Sequence, residues 1–215
     1  MKTKNKFFTL PGILFLSLML TFCGNSGSNG TIIIGTQTWA TKNLDVNTFS
    51  NGDPIPEAKT REEWWQFGEE QKAAWCYYEN DQANRKKYGK LYNWYAVNDP
   101  RGLAPKGWHV PSDAEWTSLT GNLGEDAGIQ MKSTSGWSDN GNGTNISGFT
   151  ALPGGYRNLS CYFEYIGNDG YWWSSTGYDT NYAWSRRMLY NYGDVDRLHY
   201  YKEYGFSVRC VRDFK

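Results

Sequence analysis

The chain has 215 residues and equal numbers of basic and acidic side chains, 22 of each. Without the three lysines of residues 1–22 it keeps 19 basic and 22 acidic side chains, a net charge of minus three. The composition therefore argues against nucleic acid as a partner, because phosphate binding needs a clustered basic surface. The length that remains suits a single domain.

Residues 1–22 have the pattern of an export signal, because three lysines precede an uncharged apolar run at residues 7–22. Leu20-Thr21-Phe22-Cys23 resembles a bacterial lipobox, in which the cysteine is acylated and becomes the mature N-terminus. Phe22 replaces the small residue usual at that position, and ordinary secretion is the alternative. We expect lipidation at Cys23, a flexible tether at residues 23–30 and attachment to the membrane through this anchor.

The first predicted structural element is a hairpin. The β-branched residues 31–34 precede Gly35 and Thr36, and residues 37–41 alternate again. Residues 43–57 contain a glycine and two prolines and are predicted to form a loop.

Thr60 and Glu63 fit a capping box, which predicts a short helix that ends near Lys72. A strand is predicted at residues 74–78. In residues 90–98 the apolar spacing favours another helix.

Ser112 and Glu115 form the best local signal in the chain, a second capping box. Apolar residues follow at spacings of three and four, and Gly124 is the predicted end of this helix. No strong helix is predicted beyond it. Residues 125–215 are rich in Gly, Asn, Ser and aromatic side chains, which favours short strands joined by long loops. The sequence therefore predicts an α+β domain.

Several ordered motifs resemble those of a known family. They are Ile34-Gly35-Thr36-Gln37-Thr38-Trp39, Tyr88-Gly89-Lys90-Leu91-Tyr92-Asn93-Trp94, the segment 107–116, Ser147-Gly148-Phe149, Leu152-Pro153-Gly154-Gly155-Tyr156, Tyr171-Trp172-Trp173-Ser174-Ser175 and the segment 207–213. Over residues 31–213 the chain resembles the Fibrobacter succinogenes major paralogous domain. The resemblance implies a lipid-anchored protein of the cell envelope, an outer-membrane lipoprotein, and it implies no settled biochemical activity.

A more distant likeness concerns the fold. The segment 109–116 resembles the helix-opening motif of the formylglycine-generating enzyme superfamily, and Gly205-Phe206-Ser207-Val208-Arg209 resembles its closing strand. The likeness implies a C-type-lectin-like fold, in which two main helices pack on small, irregular antiparallel sheets with long loops. Neither the copper-binding cysteine pair of that superfamily nor the calcium-binding tripeptides of C-type lectins occur in the sequence. No metal or cofactor is therefore predicted.

The export signal places the cysteines in an oxidising compartment, where disulfides persist. Three thiols, those of Cys76, Cys161 and Cys210, cannot all pair within the chain. The predicted disulfide joins Cys76 to Cys210, which leaves Cys161 unpaired.

Aromatic side chains supply the candidate binding residues. Trp and Tyr number 11 and 16, more than a core of this size needs, and buried indoles and phenols require polar partners. Residues inside the family motifs are predicted to be structural, namely Trp108, His109, Ser112, Glu115, Trp116, Trp172 and Trp173. Residues between the motifs are the predicted ligand-binding candidates, namely Trp64, Trp65, Tyr162, Tyr165, Tyr178, Tyr182, Tyr190, Tyr192, Tyr200 and Tyr201.

Catalytic hypotheses have weaker support in the sequence. His109 and His199 lie at no zinc-ligand spacing from Cys, Asp or Glu, and no Gly-x-Ser-x-Gly nucleophile motif occurs. The oxygen-rich segment 139–145 departs from calcium-loop spacing and favours a turn. We therefore expect a non-catalytic, lipid-anchored envelope protein that binds a glycan or a protein through aromatic loops. The alternatives are an enzyme distantly related to the formylglycine-generating enzymes and a structural or adhesion component of the envelope.

Overall fold

The computed structural model describes residues 30–213. The predicted signal peptide, Cys23 and the tether up to residue 29 lie outside the described residues. The strands are β1 (Thr31–Ile34), β2 (Gln37–Ala40), β3 (Trp75–Cys76), β4 (Leu91–Tyr92), β5 (Trp108–His109), β6 (Gly154–Arg157), β7 (Phe163–Ile166), β8 (Asp169–Gly177), β9 (Tyr182–Leu189), β10 (Asp196–Tyr201) and β11 (Val211–Arg212). The helices are α1 (Arg61–Glu69), α2 (Gln82–Tyr88), α3 (Trp94–Val97), α4 (Asp113–Leu123) and α5 (Ala127–Met131). None of these helices is long and apolar enough to cross a membrane.

The described strands form three sheets. The largest has the order β10-β9-β8-β6-β7, a second has the order β1-β2-β11-β5, and β3 pairs with β4 alone. Paired strands run antiparallel except for β6 and β8, which are parallel. The predicted α+β class is confirmed, with small and mostly antiparallel sheets and few helices.

The predicted N-terminal hairpin is confirmed, and it joins the last strand of the domain. β1 and β2 pair from Thr31 opposite Ala40 to Ile34 opposite Gln37. β2 also pairs with β11, which in turn pairs with β5. Strands from the beginning, middle and end of the domain therefore share one sheet.

Both predicted capping boxes are present. In α1 the side chain of Thr60 accepts a hydrogen bond from the amide of Glu63, whose carboxylate accepts one from the Thr60 amide. Ser112 and Glu115 make the same reciprocal pair at the start of α4. α4 ends before Gly124, whose φ of +73° lies in the region that favours glycine. These local signals predict both starts correctly, and they predict the end of α4.

The region between the two capped helices differs from its prediction. Residues 90–98 were predicted as one helix, but β4 occupies the first half and α3 begins only after Asn93. The Asn93 side chain accepts hydrogen bonds from the amides of Ala96 in α3 and Ala74 next to β3. This tertiary bond to residue 74 and the pairing of β4 with β3 outweigh the helical spacing of the apolar residues.

Other boundaries also need correction. α1 ends at Glu69 and not near Lys72, the strand predicted at residues 74–78 is reduced to β3, and the short helices α2 and α5 were not predicted. The strands β8 and β9 are longer than expected, with nine and eight residues.

The five-stranded sheet separates two aromatic cores. Successive residues of a strand point to opposite faces, so Trp172 and Trp173 of β8 lie on different sides, and both are fully buried. Trp172 packs in a cluster with Trp116 of α4. Trp173 packs in the other cluster, against Phe206, and Trp108 lies half-buried against that cluster. The four tryptophans that were predicted to be structural thus belong to the interior or to its edge.

Arg209 is a fully buried cation that ties three separate segments together. Its guanidinium donates hydrogen bonds to the carbonyl oxygens of Ala40 at 3.0 Å and Phe149 at 2.6 Å, and to Asn43 Oδ1 at 2.9 Å. It also lies 4.3 Å from the centre of the Phe149 ring. Burial lowers the pKa of Arg209 to about 9, so the group remains protonated at neutral pH. The side chain supplies donors that buried carbonyl groups need.

The three cysteines of the domain are free thiols, and each is buried. Cys76 lies in a small cluster beneath α1 together with Cys161, whereas Cys210 lies in the larger core cluster that contains Trp173. The predicted disulfide between Cys76 and Cys210 is not formed, because the two side chains belong to different clusters. Burial raises the pKa of both thiols to about 12, which leaves them unreactive in the folded protein.

We predict that Arg209→Met destabilises the domain by about 3 kcal/mol or more, since each buried carbonyl that loses its donor costs about 1–3 kcal/mol. Urea unfolding followed by tryptophan fluorescence measures the change. Arg212→Met is the matched control, because Arg212 is exposed and only lies over the Trp108 ring at 5.0 Å. That control should lose less than about 1 kcal/mol. Equal losses in the two variants would contradict a special role for Arg209.

Candidate functional site

A groove runs beside α1, between this helix and the segment that follows β6. Two adjoining cavities of about 590 and 350 Å³ form it, and both are lined by Trp65, Leu159 and Cys161. We call it the α1 groove. The larger cavity is also lined by Arg61, Glu62, Gln66 and Ser160. The smaller cavity is also lined by Trp64, Gly68, Glu69, Tyr201 and Glu203.

The most exposed aromatic ring that lines this groove is that of Trp65. Trp64 and Trp65 are neighbours on α1, but the helical rotation buries the first and leaves the second 58% exposed. Arg61 lies one turn before Trp65, so the two side chains share one face of the helix. Trp65 therefore offers an open indole surface next to a cationic side chain.

Arg61 forms hydrogen bonds across the groove to the segment that follows β6. The Arg61 guanidinium donates to the Ser160 carbonyl oxygen and to the Tyr162 hydroxyl, at 2.9 Å in each case. It also lies 4.2 Å above the centre of the Tyr162 ring, which is 54% exposed. The predicted candidates Trp65 and Tyr162 are thus brought to the same groove, with Tyr162 on its rim.

The inner end of the groove contains an unpaired acceptor. Glu203 Oε1 accepts a hydrogen bond from the Tyr95 hydroxyl at 3.1 Å, whereas Oε2 is buried and has no partner among the described residues. The chain approaches closely there, since a Cβ on Gly68 would lie 3.0 Å from Glu203 Cγ. Burial and the Glu203 carboxylate raise the pKa of Tyr95, which keeps its hydroxyl protonated as the donor.

A second aromatic surface covers part of one face of the β9–β10 hairpin and the turn before β9. We call it the aromatic ladder, and it consists of Tyr178, Tyr182, Trp184, His199 and Tyr201. The strand register places Tyr182 opposite Tyr201 and Trp184 opposite His199. The Tyr182 and Tyr201 ring centres are 4.2 Å apart, and Tyr178 stacks on His199 at 4.1 Å with ring planes within 7°.

Helix α4 decides where the ladder ends. Arg186 and Met188 continue the same face of β9, but both are buried against α4. At the boundary Asp113, the first residue of α4, forms ion pairs with Arg186 at 2.7 Å and with Arg197 at 2.8 Å. Arg197 in turn stacks on Trp184, with its guanidinium 3.4 Å from the ring centre. The ladder is thus the half of this sheet face that α4 leaves uncovered.

The ladder contains three of the predicted candidates and two residues that sequence reasoning missed. Tyr178, Tyr182 and Tyr201 were candidates, whereas Trp184 and His199 were not. The signal for the missed pair is the period-two spacing of Tyr182 with Trp184 and of His199 with Tyr201, which places aromatic rings on one face of paired strands.

Trp64 requires a correction. It was predicted to be a ligand-binding residue, but its side chain is 2% exposed and forms part of the interior. Its indole N–H donates to the Glu203 carbonyl oxygen at 3.0 Å, and the Arg157 guanidinium lies 4.8 Å from its ring centre. Because these partners cover its ring, Trp64 forms part of the groove wall and has no face free to stack on a ligand.

The remaining candidates line neither surface. Tyr190 and Tyr200 are half-buried and pack against the two cores, Tyr190 beside the α4 cluster and Tyr200 beside the other. Tyr165 and Tyr192 are exposed at 52% and 48%. Tyr165 stacks on Tyr156 with ring centres 5.8 Å apart.

A family model now accounts for the whole described domain. The model of the Fibrobacter succinogenes major domain matches residues 32–212, a range that extends from β1 to β11. The chain belongs to this family. Neither the comparison with curated proteins nor the comparison with solved structures gave a match.

The family motif around α4 contains a histidine held between two carboxylates. His109 Nδ1 lies 2.7 Å from Asp213 Oδ1, and His109 Nε2 lies 2.7 Å from Glu115 Oε1. Glu115 is the residue that completes the capping box with Ser112. Both ring nitrogens are therefore engaged, and neither is left to activate a hydroxyl or a thiol. His109 connects the start of α4 to the C-terminal end of the domain.

The electrostatics of this contact favour a protonated histidine. Burial lowers the pKa of His109, but its hydrogen bonds to Glu115 and Asp213 outweigh burial, so the pKa is raised. Burial raises the pKa of Glu115, but the hydrogen bonds from Ser112 and His109 outweigh it, so the pKa is lowered. The pair is thus charged and most favourable at mildly acidic pH.

The oxygen-rich segment 139–145 is a turn whose side chains bond to the backbone. Asn142 Oδ1 accepts from the Trp137 amide at 3.1 Å, and Asn145 Oδ1 accepts from the Thr150 amide at 2.8 Å. Residues 139, 140 and 145 have positive φ angles, which Asp and Asn tolerate. Within residues 30–213, no group of three or more His, Cys, Asp or Glu side chains is arranged to hold a metal ion.

We predict that His109→Gln lowers Tm by about 2–4 °C at about pH 5.5, the shift that about 1 kcal/mol causes in a chain of this size. The folded pKa of His109 exceeds its unfolded value of about 6.5, so its contribution is complete below that pH and disappears as the pH rises through the folded pKa. The Glu115 contribution disappears as the pH falls through its own lowered pKa.

Thermal unfolding of both proteins between about pH 4 and about pH 9 tests this sign, and the difference in Tm should shrink above neutral pH. His199→Gln is the matched control, because that ring stacks on Tyr178 and not against carboxylates. A Tm loss in His109→Gln that is the same at acidic and alkaline pH would contradict the ion-pair explanation.

Proposed function

We propose that this protein is a non-catalytic, lipid-anchored protein of the bacterial cell envelope that binds a glycan in the α1 groove. The single observation that supports this function most is the open indole of Trp65 between polar side chains that are already positioned. In this proposal the domain is a variant of the C-type-lectin-like fold, and the protein is an outer-membrane lipoprotein.

The chemistry of the groove suits a sugar ring. A pyranose presents an apolar face of C–H groups and a rim of hydroxyl groups, so a binding site needs a flat aromatic surface beside hydrogen-bonding side chains. Trp65 offers the surface, and Glu62 and Gln66 offer acceptors at its edges. Pockets of several hundred Å³ with few polar groups are typical of small-ligand sites.

The groove is also preformed, which supports a binding role. Arg61 spans it and bonds to Ser160 on the opposite side. Arg157 fixes both walls from beneath by donating to the carbonyl oxygens of Thr60 at 2.8 Å and Cys161 at 3.2 Å. A ligand that enters such a site spends little free energy on ordering the protein.

The arrangement of the domain is compatible with a lectin-like architecture. The two longest helices are α1 and α4, with nine and eleven residues, and the loops between strands are long. Because the calcium-binding tripeptides of C-type lectins do not occur in the sequence, we expect sugar binding that does not depend on calcium. A protein ligand is the other class of partner that exposed aromatic rings can bind.

We predict that Trp65→Ala weakens glycan binding about tenfold or more, because losing a stacked aromatic ring is expected to cost at least about 1.4 kcal/mol. A glycan array probed with purified protein identifies the ligand, and titration calorimetry then compares the variants. Tyr192→Ala is the matched control, since Tyr192 is an exposed aromatic residue outside the groove.

Wild-type binding should persist in EDTA, and Trp65→Ala should unfold at the wild-type temperature. An array without any bound glycan, or equal affinities of wild type and Trp65→Ala, would contradict the proposed function. Cross-linking in cells that yields one dominant envelope protein through the groove would favour the protein ligand instead.

We predict that Cys23→Ser abolishes palmitate labelling and releases the protein from the membrane fraction, because acylation of this thiol is the proposed anchor. Metabolic labelling of cells that express each form measures the first effect, and fractionation measures the second. Cys161→Ser is the control, since Cys161 is buried within the folded domain. Labelling that survives Cys23→Ser would rule out this anchor.

A further inference from the structure

We infer that the α1 groove and the aromatic ladder form one continuous site for a linear, uncharged glycan chain. This inference rests on the proposed glycan binding and adds the length and charge of the ligand. Three features of the structure carry it, namely the residue that the two surfaces share, the line of rings beyond it and the charges along the path.

Tyr201 is the shared residue. It lines the inner cavity of the groove, and it is also the ladder residue that stands opposite Tyr182 on β9. Its ring is 38% exposed and lies 4.2 Å from that of Tyr182, centre to centre. A ligand that leaves the inner end of the groove therefore meets the ladder directly.

The rings beyond Tyr201 continue in one direction. His199 lies two residues earlier on β10, about 6.8 Å away along the strand, on the same face. Tyr178 stacks on His199 and is 49% exposed. The path is closed on the α4 side, where Arg197 covers Trp184 and pairs with Asp113. A chain of sugar units can thus pass from Trp65 over Tyr201 to Tyr178.

The charges along this path favour an uncharged ligand over an anionic one. The cations beside the ladder already have partners within the protein. Lys202 donates to the carbonyl oxygens of Asp179 and Thr180, and Arg197 is paired with Asp113. The groove itself contains the carboxylates of Glu62, Glu69 and Glu203. Among the described residues, the one cation that lines the groove is Arg61, and its guanidinium is bonded to Ser160 and Tyr162. A polyuronate would therefore face three carboxylates for one guanidinium, a repulsion that a neutral chain does not meet.

A length series tests the inference with named probes. Disaccharide to hexasaccharide oligomers of β-1,4-glucan, β-1,4-xylan and β-1,4-mannan are titrated into the purified protein, with oligogalacturonates of the same lengths for comparison. For at least one neutral series we expect the hexasaccharide to bind about tenfold more tightly than the disaccharide. The oligogalacturonates should bind more weakly than that neutral series at every length.

Variants test whether the higher affinity for longer oligomers comes from the aromatic ladder. The double variant Tyr178→Ala with His199→Ala should lose the gain with length and keep the disaccharide affinity, whereas Tyr178→Phe should keep both. Trp65→Ala should weaken the binding of every oligomer. Tyr165→Ala is the matched control, because Tyr165 is equally exposed on β7 and lines neither surface. A Tm measurement on each variant confirms that it is folded.

The outcomes separate this inference from the proposed function. Disaccharide binding with no gain in affinity for longer chains, a gain that survives loss of Tyr178 and His199, or preferred binding of oligogalacturonate would overturn the inference and leave glycan binding in place. If none of the neutral oligomers binds to the wild-type protein, the inference is overturned, and the glycan array decides the proposed function separately.

Discussion

Buried carbonyl groups that need donors are the constraint on which this structure depends. A chain with short strands and long loops leaves many backbone oxygens outside regular pairing, and each must find a partner when it is buried. Arg209, Arg157 and Lys132 meet this need by donating to carbonyl oxygens of segments distant in sequence. None of the three forms an ion pair with a carboxylate among the described residues. In these loops, hydrogen bonds from cationic side chains to backbone carbonyl oxygens take the place of regular secondary structure.

The same device positions the candidate site. Arg157 lies beneath the α1 groove and bonds to the carbonyl oxygens of Ala58 and Thr60 before α1, and to that of Cys161 on the opposite wall. The two walls are far apart in the sequence but share one guanidinium. Trp64 covers that guanidinium at 4.8 Å, so the first tryptophan of α1 belongs to the interior, whereas the second remains exposed. A rigid floor of this kind keeps an open aromatic ring in a defined position.

The sequence predicts those parts of the fold that depend on local physics. The capping boxes at Thr60 and Ser112 need only residues three positions apart, and the first hairpin needs only a turn between two β-branched or alternating runs. Residues 90–98 were mispredicted because Asn93 bonds to the amide of Ala74, a contact that no local rule contains. The predicted Cys76–Cys210 disulfide was wrong for the same reason, because tertiary packing determines which cluster each cysteine belongs to. Trp64 and Trp65 show most clearly what the sequence alone does not predict. They are neighbours on α1, yet one side chain is buried and the other is exposed.

The aromatic ladder could not be read from the sequence because its extent depends on a helix elsewhere in the chain. β9 carries Tyr182, Trp184, Arg186 and Met188 on one face, and the spacing of these residues alone does not say which of them are covered. α4 begins at Asp113, and this residue pairs with both Arg186 and Arg197, so the start of the helix sets the boundary between the core and the ladder. That start is itself set by the capping box of Ser112 and Glu115, which His109 ties to the end of the domain. The family motif around α4 thus acts on the aromatic ladder from a distance, by determining how much of this sheet face remains uncovered.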